Sequence, residues 1–242
     1  MTTDHASVPV SSLSEGGRHR FQEQLDQIQR DLVTMGSLVL DNTRRAGEAM
    51  LEGRLELVDE VRAVDDQVDQ MYLETEKLTF ETLARQQPVA GDLRFLVAAT
   101  RILYELERTG DLAFNCARIL RRLNGFPQHA AISPLLEASI AASCKVFGQS
   151  ITALDQMQPD AGEVLDRADD EVDDLVLEFY GVVGRHSAEI GLEVAIGMSR
   201  VGRFLERIAD HAVNIGEHIT YTVEGTLPPA GQSTTPGGTL SR

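Results

Sequence analysis

Arg101-Ile-Leu-Tyr-Glu-Leu-Glu107-Arg-Thr-Gly-Asp111-Leu-Ala-Phe-Asn115 returns 99 residues later as Arg200-Val-Gly-Arg-Phe-Leu-Glu206-Arg-Ile-Ala-Asp210-His-Ala-Val-Asn214. An earlier pair matches too, displaced by 104: Asp65-Asp66-Gln-Val-Asp69-Gln-Met-Tyr-Leu-Glu74 against Asp169-Asp170-Glu-Val-Asp173-Asp-Leu-Val-Leu-Glu178. The five-residue difference is expected in a longer turn between the second and third helices of the first half, where Pro88 lies. Upstream, Phe21, Leu25, Ile28, Leu32, Met35 and Val39 recur at steps of three and four, one buried helical stripe. Period-two alternation bounded by turn residues is missing. The chain therefore reads as all-α, two tandem three-helix bundles related by an internal repeat.

Working outward, the eight prolines punctuate long intervals rich in Leu, Ala, Glu, Gln and Arg. Six helices are predicted, at about 18–51, 54–86, 91–124, 132–157, 160–186 and 188–223. Gly53 ends the first, and Pro88-Val-Ala-Gly91 separates the second and third, with Asp92 expected as a cap. Asn124-Gly-Phe-Pro127 divides the chain near its middle. The expected organisation is a disordered N-terminal segment (1–17), a first repeat (18–125), a second repeat (126–224) and a disordered tail (225–242). That tail holds four Gly, three Pro and six Ser or Thr, too few apolar groups to fold. Long helices joined by short loops pack as up-and-down bundles.

With 38 acidic residues against 22 Lys and Arg, the formal charge of −16 makes nucleic acid and an anionic bilayer poor partners. Aromatics at 5 % and no Trp leave little to stack on bases. Cys116 and Cys144 are the only cysteines, with no CxxC, and are expected as buried small apolars. The Ser-rich start has no apolar signal-peptide core. The longest apolar run, Phe95 to Ala99, is far short of the ~20 residues of a membrane span. A cytoplasmic location is expected.

The repeat preserves acids. Glu107, Asp111 and Asn115 stand at i, i+4, i+8 on one stripe of the third helix, and Asp65 and Asp69 do the same on the second. Like charges at i, i+4 cost about 0.2–0.5 kcal/mol per pair. Drawing the two stripes together across a helix seam costs more unless a cation lies between them. Two kinds are available: an arginine (Arg108 and Arg207 are matched, as are Arg101 and Arg200) or a metal ion. The competing reading is a solvated acidic face. The metal ligands expected on this pattern are Glu107, Asp111, Glu206 and Asp210 with Asp65, Asp69, Asp169 and Asp173, flanked by Asn115, Asn214, Arg108 and Arg207. All are hard oxygen donors, favouring a hard divalent or trivalent ion; iron, Mn, Mg, Ca and Zn are not told apart.

Other constellations lack their parts. No Glu-x-x-His, GxxxxGK[ST], GxSxG or HExxH occurs, so di-iron redox, phosphate-loop, serine-hydrolase and zincin chemistry are not expected. The six His have no counterpart across the repeat, and His211 and His218 are expected at the surface. Gly36, Gly110, Gly148, Gly197, Gly202 and Gly216 lie inside helices, where close helix approach is the expected reason.

At Leu106-Glu107-Arg108-x-x-Asp111-x-Ala113-x-Asn115, its echo from Leu205 to Asn214, and Gln87-Pro88-Val-Ala-Gly-Asp92-Leu-Arg94, the sequence resembles the PhoU family over residues 18–223. The resemblance implies two repeated three-helix bundles. It also implies metal clusters at acidic motifs that correspond by position to Glu107 with Asp111 and Glu206 with Asp210; the second-helix acids are an extension from the repeat. The second half departs from the pattern, having Gly184-Arg-His-Ser-Ala in place of the proline turn. The implied function is a cytoplasmic negative regulator of phosphate uptake and the phosphate-starvation response. It acts as an adaptor between the cytoplasmic ATPase of the high-affinity phosphate ABC transporter and a sensor histidine kinase. Such proteins are homodimers or larger oligomers, are not enzymes, and meet the membrane only through partners. The rival readings are a metal-dependent carboxylate-type phosphohydrolase and a structural helical dimer.

Overall fold

The computed structural model describes residues 15–225, which form seven helices and no strand. They are α1 (Glu15–Glu52), α2 (Leu57–Gln86), α3 (Ala90–Arg122), α4 (Ser133–Gln156), α5 (Ala161–Arg185), α6 (Ser187–Ile190) and α7 (Leu192–Glu224). Each of α1, α2 and α3 packs on the other two, and α4, α5 and α7 repeat the arrangement. The bundles join where α3 meets α7 and α1 meets α4. Four helices thus close a central ring, with α2 and α5 on its flanks. The stripe from Phe21 to Val39 is buried along its whole length and belongs to one core continuous through both bundles. No described helix is long and apolar enough to cross a membrane.

The ends follow local chemistry. α1 stops at Gly53, whose φ of +70° suits a residue without Cβ. Pro134 lies in the first turn of α4, where its missing N–H is not needed. Asp92 is not the cap of α3: Val89 holds that position in extended backbone, and Asp92 faces the positive helix end from the first turn. The expected helix over 188–223 is broken at Gly191 (φ +89°, ψ 142°) into α6 and α7.

The five-residue difference between the repeats does not lie in the first-half turn, which is the shorter one at residues 87–89. It lies in α2, which runs on to Gln86 past Asp65, whereas α5 stops at Arg185 past Asp169. Residues 15–17 are the first turn of α1 and Gly225 is the C-cap of α7. The rest of the expected disordered segments, 1–14 and 226–242, lies outside the described residues.

Candidate metal centre

Each bundle carries an acidic seam between its second and third helices. In the first, the Asp65 carboxylate is 7 % exposed and points at Gly110 of α3, with Oδ1 3.2 Å from where a Cβ would stand. Burial pushes Asp65 up to about 7, reinforced by the negative charge of Asp69, Asp111, Asp66 and Glu107. Asp69 is exposed, yet it too is raised by desolvation and then by Asp111. Glu107 is raised by burial and by Asp111, with Arg108 opposing. Arg108 stands at the rim, 4.0 Å from Glu107, its Nε donating to the Tyr104 hydroxyl at 3.0 Å.

The second seam repeats this on α5 and α7. Burial lifts Asp169 to about 7, followed by repulsion from Asp173 and Asp210. Its Oδ1 is buried with no hydrogen-bond partner. Asp173 is raised by burial and by Asp210. Asp210 is raised by burial against the opposing charges of Arg203 and Arg207. Here an arginine enters: Arg203 pairs with Glu206, and the Tyr180 hydroxyl donates to the same carboxylate at 3.5 Å. Gly202 admits Tyr180, whose ring lies 2.8 Å from a Cβ placed there. Position 203 corresponds to Tyr104 in the first repeat, so the seams differ in their counter-charge.

A buried carboxylate oxygen without a donor, beside acids raised by one another, fits a hard cation. The oxygens are not closed into a ligand cage: among the described residues no three seam carboxylates bring oxygens within 4.8 Å of one another. Asn115 is engaged elsewhere, accepting from Arg118 at 3.1 Å, and Asn214 lies near Glu105, whose carboxyl it helps to hold down.

The histidines depart from expectation. His211 is buried between α3 and α7, not on the surface. The Thr109 hydroxyl donates to the Glu105 carbonyl (2.8 Å), so it accepts from His211 Nδ1–H at 3.1 Å. Nε2 is left as the lone pair 3.9 Å from the Glu105 carboxylate. Burial holds His211 down to about 4, and His218, half-buried, to about the same. At the mates of Glu105 and His211 the repeat has Phe204 and Leu112, so this polar pair occupies an otherwise apolar position.

His129, His186 and Glu189 are the one trio of possible ligand groups among the described residues whose donor atoms lie within 4.8 Å. The Ala131 N–H donates to His129 Nδ1 at 3.2 Å, so His129 Nε2 carries the proton toward Glu189 Oε2 at 3.4 Å. His186 Nδ1 lies 3.1 Å from the same oxygen. With both rings donating, the trio ties the α3–α4 connection, residues 123–132, to the start of α6. Cys116 and Cys144 are buried free thiols, as expected, pushed up by burial to about 12 and 11.

The PhoU domain family matches residues 32–120 and again 141–219, so the family's own repeat coincides with the internal one. A relative from Synechocystis, named phosphate-specific transport system accessory protein PhoU homolog, is 33 % identical over 86 % of this chain and 93 % of its own. A Mycobacterium tuberculosis relative named as the first PhoU homolog of that organism is 32 % identical over 86 % of this chain and 95 % of its own. The crystal structure of PhoU from Pseudomonas aeruginosa superposes with a TM-score of 0.80 at 28 % identity, covering 85 % of this chain and all of that one.

Proposed function

The chain belongs to the PhoU family, and from that membership we propose that it is an accessory and regulatory protein of phosphate transport. It acts by binding rather than by turnover. In this reading it is a cytoplasmic adaptor that keeps phosphate uptake and the starvation response off when phosphate is plentiful. It docks on the cytoplasmic ATPase of the phosphate ABC transporter and on a sensor histidine kinase, and it works as a homodimer or larger oligomer. The names of its relatives support the transport role.

The observation that carries the mechanism is the pair of acidic seams, kept in register by both repeats and each containing a carboxylate raised to about 7, Asp65 buried and Asp169 half-buried. Asp65, Asp69, Glu107 and Asp111 would hold a cation between α2 and α3; Asp169, Asp173, Glu206 and Asp210 would hold one between α5 and α7. The ion supplies positive charge. The chain's residues set how tightly each flanking helix is tied to the central ring, and so which surface the adaptor presents. A preference for one transporter state, passed to the kinase, needs a coupling of only ~1–3 kcal/mol.

Deleting the gene should switch on phosphate-scavenging genes in phosphate-rich medium, and restoring the wild-type chain should silence them. Expression unchanged by deletion contradicts the reading.

A further inference from the structure

Five exposed arginines, of only 22 Lys and Arg in a chain of charge −16, line one open surface cavity of about 470 Å³. Arg62 comes from α2, Arg118, Arg121 and Arg122 from α3, and Arg200 from α7, so the cavity spans both bundles. Its size lies within the ~300–1,000 Å³ of small-molecule sites. Among the described residues the one ion pair these five make is Arg121 with Asp59, at 2.8 Å. Arg118 donates to Asn115 at 3.1 Å and lies over the Phe114 ring, and Arg200 lies over Phe204. Arg62 and Arg122 have neither. In a protein with so large an excess of carboxylates, four arginines without an ion pair lining one hollow, their stems along its wall, offer guanidinium groups to an anion that enters it.

The internal repeat supplies a control. The mates of Arg62, Arg118, Arg121, Arg122 and Arg200 are Asp166, Glu217, Thr220, Tyr221 and Arg101. Two positions invert their charge, two lose it and one keeps it. The second groove is also filled: the Thr220 hydroxyl accepts from the Gly162 N–H at 3.1 Å, and Glu217 backbone lies 3.4 Å from a Cβ placed at Gly162. Asp166 and Glu217 lie close enough for the former to raise the latter. The arginine set therefore belongs to the first groove alone and not to the plan the two bundles share.

We propose that this cavity binds a phosphate-bearing anion, one per chain. Guanidinium forks donate in pairs to phosphate oxygens, and several forks around one hollow suit a group with three or more of them. Small anions enter where a long polyanion is repelled by the rest of the surface. Asn115, at the cavity edge, is one helical turn along α3 from Asp111, so an occupant sits next to the first acidic seam on the same helix. The choice of phosphate over a carboxylate anion rests on the phosphate-transport reading above; the existence of an anion site does not.

The test is calorimetric titration of the full chain, stripped of metal with a chelator so that seam-bound ions cannot hold phosphate. Inorganic phosphate, tripolyphosphate, ATP and citrate are titrated separately. At least one phosphate compound is expected to bind with one site per chain, more weakly as salt rises, and which one binds separates an inorganic from a nucleotide ligand. Arg122→Gln with Arg200→Gln is expected to weaken it at least tenfold, and Arg122→Lys with Arg200→Lys, which keeps charge but loses the fork, by a smaller factor. Glu217→Gln in the mate groove should leave it unchanged. Binding of none of the phosphate compounds, binding of citrate alone, or equal binding by wild type and the double Gln variant overturns the proposal. Any of these alongside an intact deletion phenotype removes the site and leaves the regulatory reading standing.

Discussion

The Asp65 carboxylate on α2 rests against the bare Cα of Gly110 on α3, its Oδ1 3.2 Å from the position a Cβ would take. Alanine at 110 gains about 1 kcal/mol of helix propensity over glycine but pushes on the carboxylate that the seam is built around. Gly110→Ala is therefore expected to change folding stability by no more than ~1 kcal/mol in either direction. The same change should weaken metal uptake at the first seam. Denaturant melts and equilibrium dialysis with Mn²⁺ read the two effects separately; undiminished uptake contradicts the placement of Asp65 as a ligand.

The seams also predict a dependence on pH. Unfolded carboxyls titrate near 4, whereas folded Asp65 and Asp169 titrate at about 7. Between those values the folded state keeps protons the unfolded chain has released, so their contribution to stability is fully present below about 4 and is lost as pH rises through 7. His211 and His218, depressed to about 4, act in the opposite sense until their unfolded value near 6.5 is passed. The carboxylate effect therefore stands alone from about pH 6.5 to 8, where metal-free protein should lose on the order of 1 kcal/mol. Added Mn²⁺ should reverse the loss. Melting curves flat over this window count against the raised carboxylates.

Asp169 offers a sharper contrast, because its Oδ1 lacks a partner. Asp169→Asn removes a half-buried charge that Asp173 and Asp210 repel. The expected result is a metal-free protein more stable than wild type at pH 8 and no longer stabilised by metal at the second seam. A simple loss of stability, with metal response intact, would show that the carboxylate is structural.

At the α3–α7 contact, His211→Leu removes the Nδ1–H that the Thr109 hydroxyl accepts and puts an apolar group against the Glu105 carboxyl, a cost of about 1–3 kcal/mol. Adding Glu105→Leu should recover much of it, since the repeat shows that apolar residues fit the equivalent place. A double-mutant cycle by urea denaturation measures the coupling; strictly additive losses contradict direct contact between the two side chains.

Most of the architecture was legible because helix periodicity is local and the repeat is visible by alignment of the halves. Phe21 to Val39 is one buried stripe, as its spacing demands. The glycines at 36, 197 and 216 sit where side chains of a facing helix come within 2.6 Å of a placed Cβ. The break at Gly191 leaves little trace in the sequence, because one glycine among helix formers signals little. Sequence also placed four acids on each seam, since i, i+4 spacing fixes which residues share a stripe. Arg203 on Glu206 is allowed by i, i+3 spacing on α7, but Tyr104 at the mate position hides it from a comparison of the repeats. The burial of His211, the clasp of His129 and His186 on Glu189, and the five-arginine cavity depend on segments far apart in the chain. No local pattern announces them.

Elemental analysis of full-length protein purified without chelators, comparing wild type with Asp111→Asn combined with Asp210→Asn, tests the cation-binding seams most directly. His186→Ala serves as a control that leaves the seams whole. The account predicts stoichiometric metal in wild type and in the control, and its loss in the double variant. Wild type that stays metal-free even after incubation with Mn²⁺ or iron, or a double variant that holds as much as wild type, would contradict it.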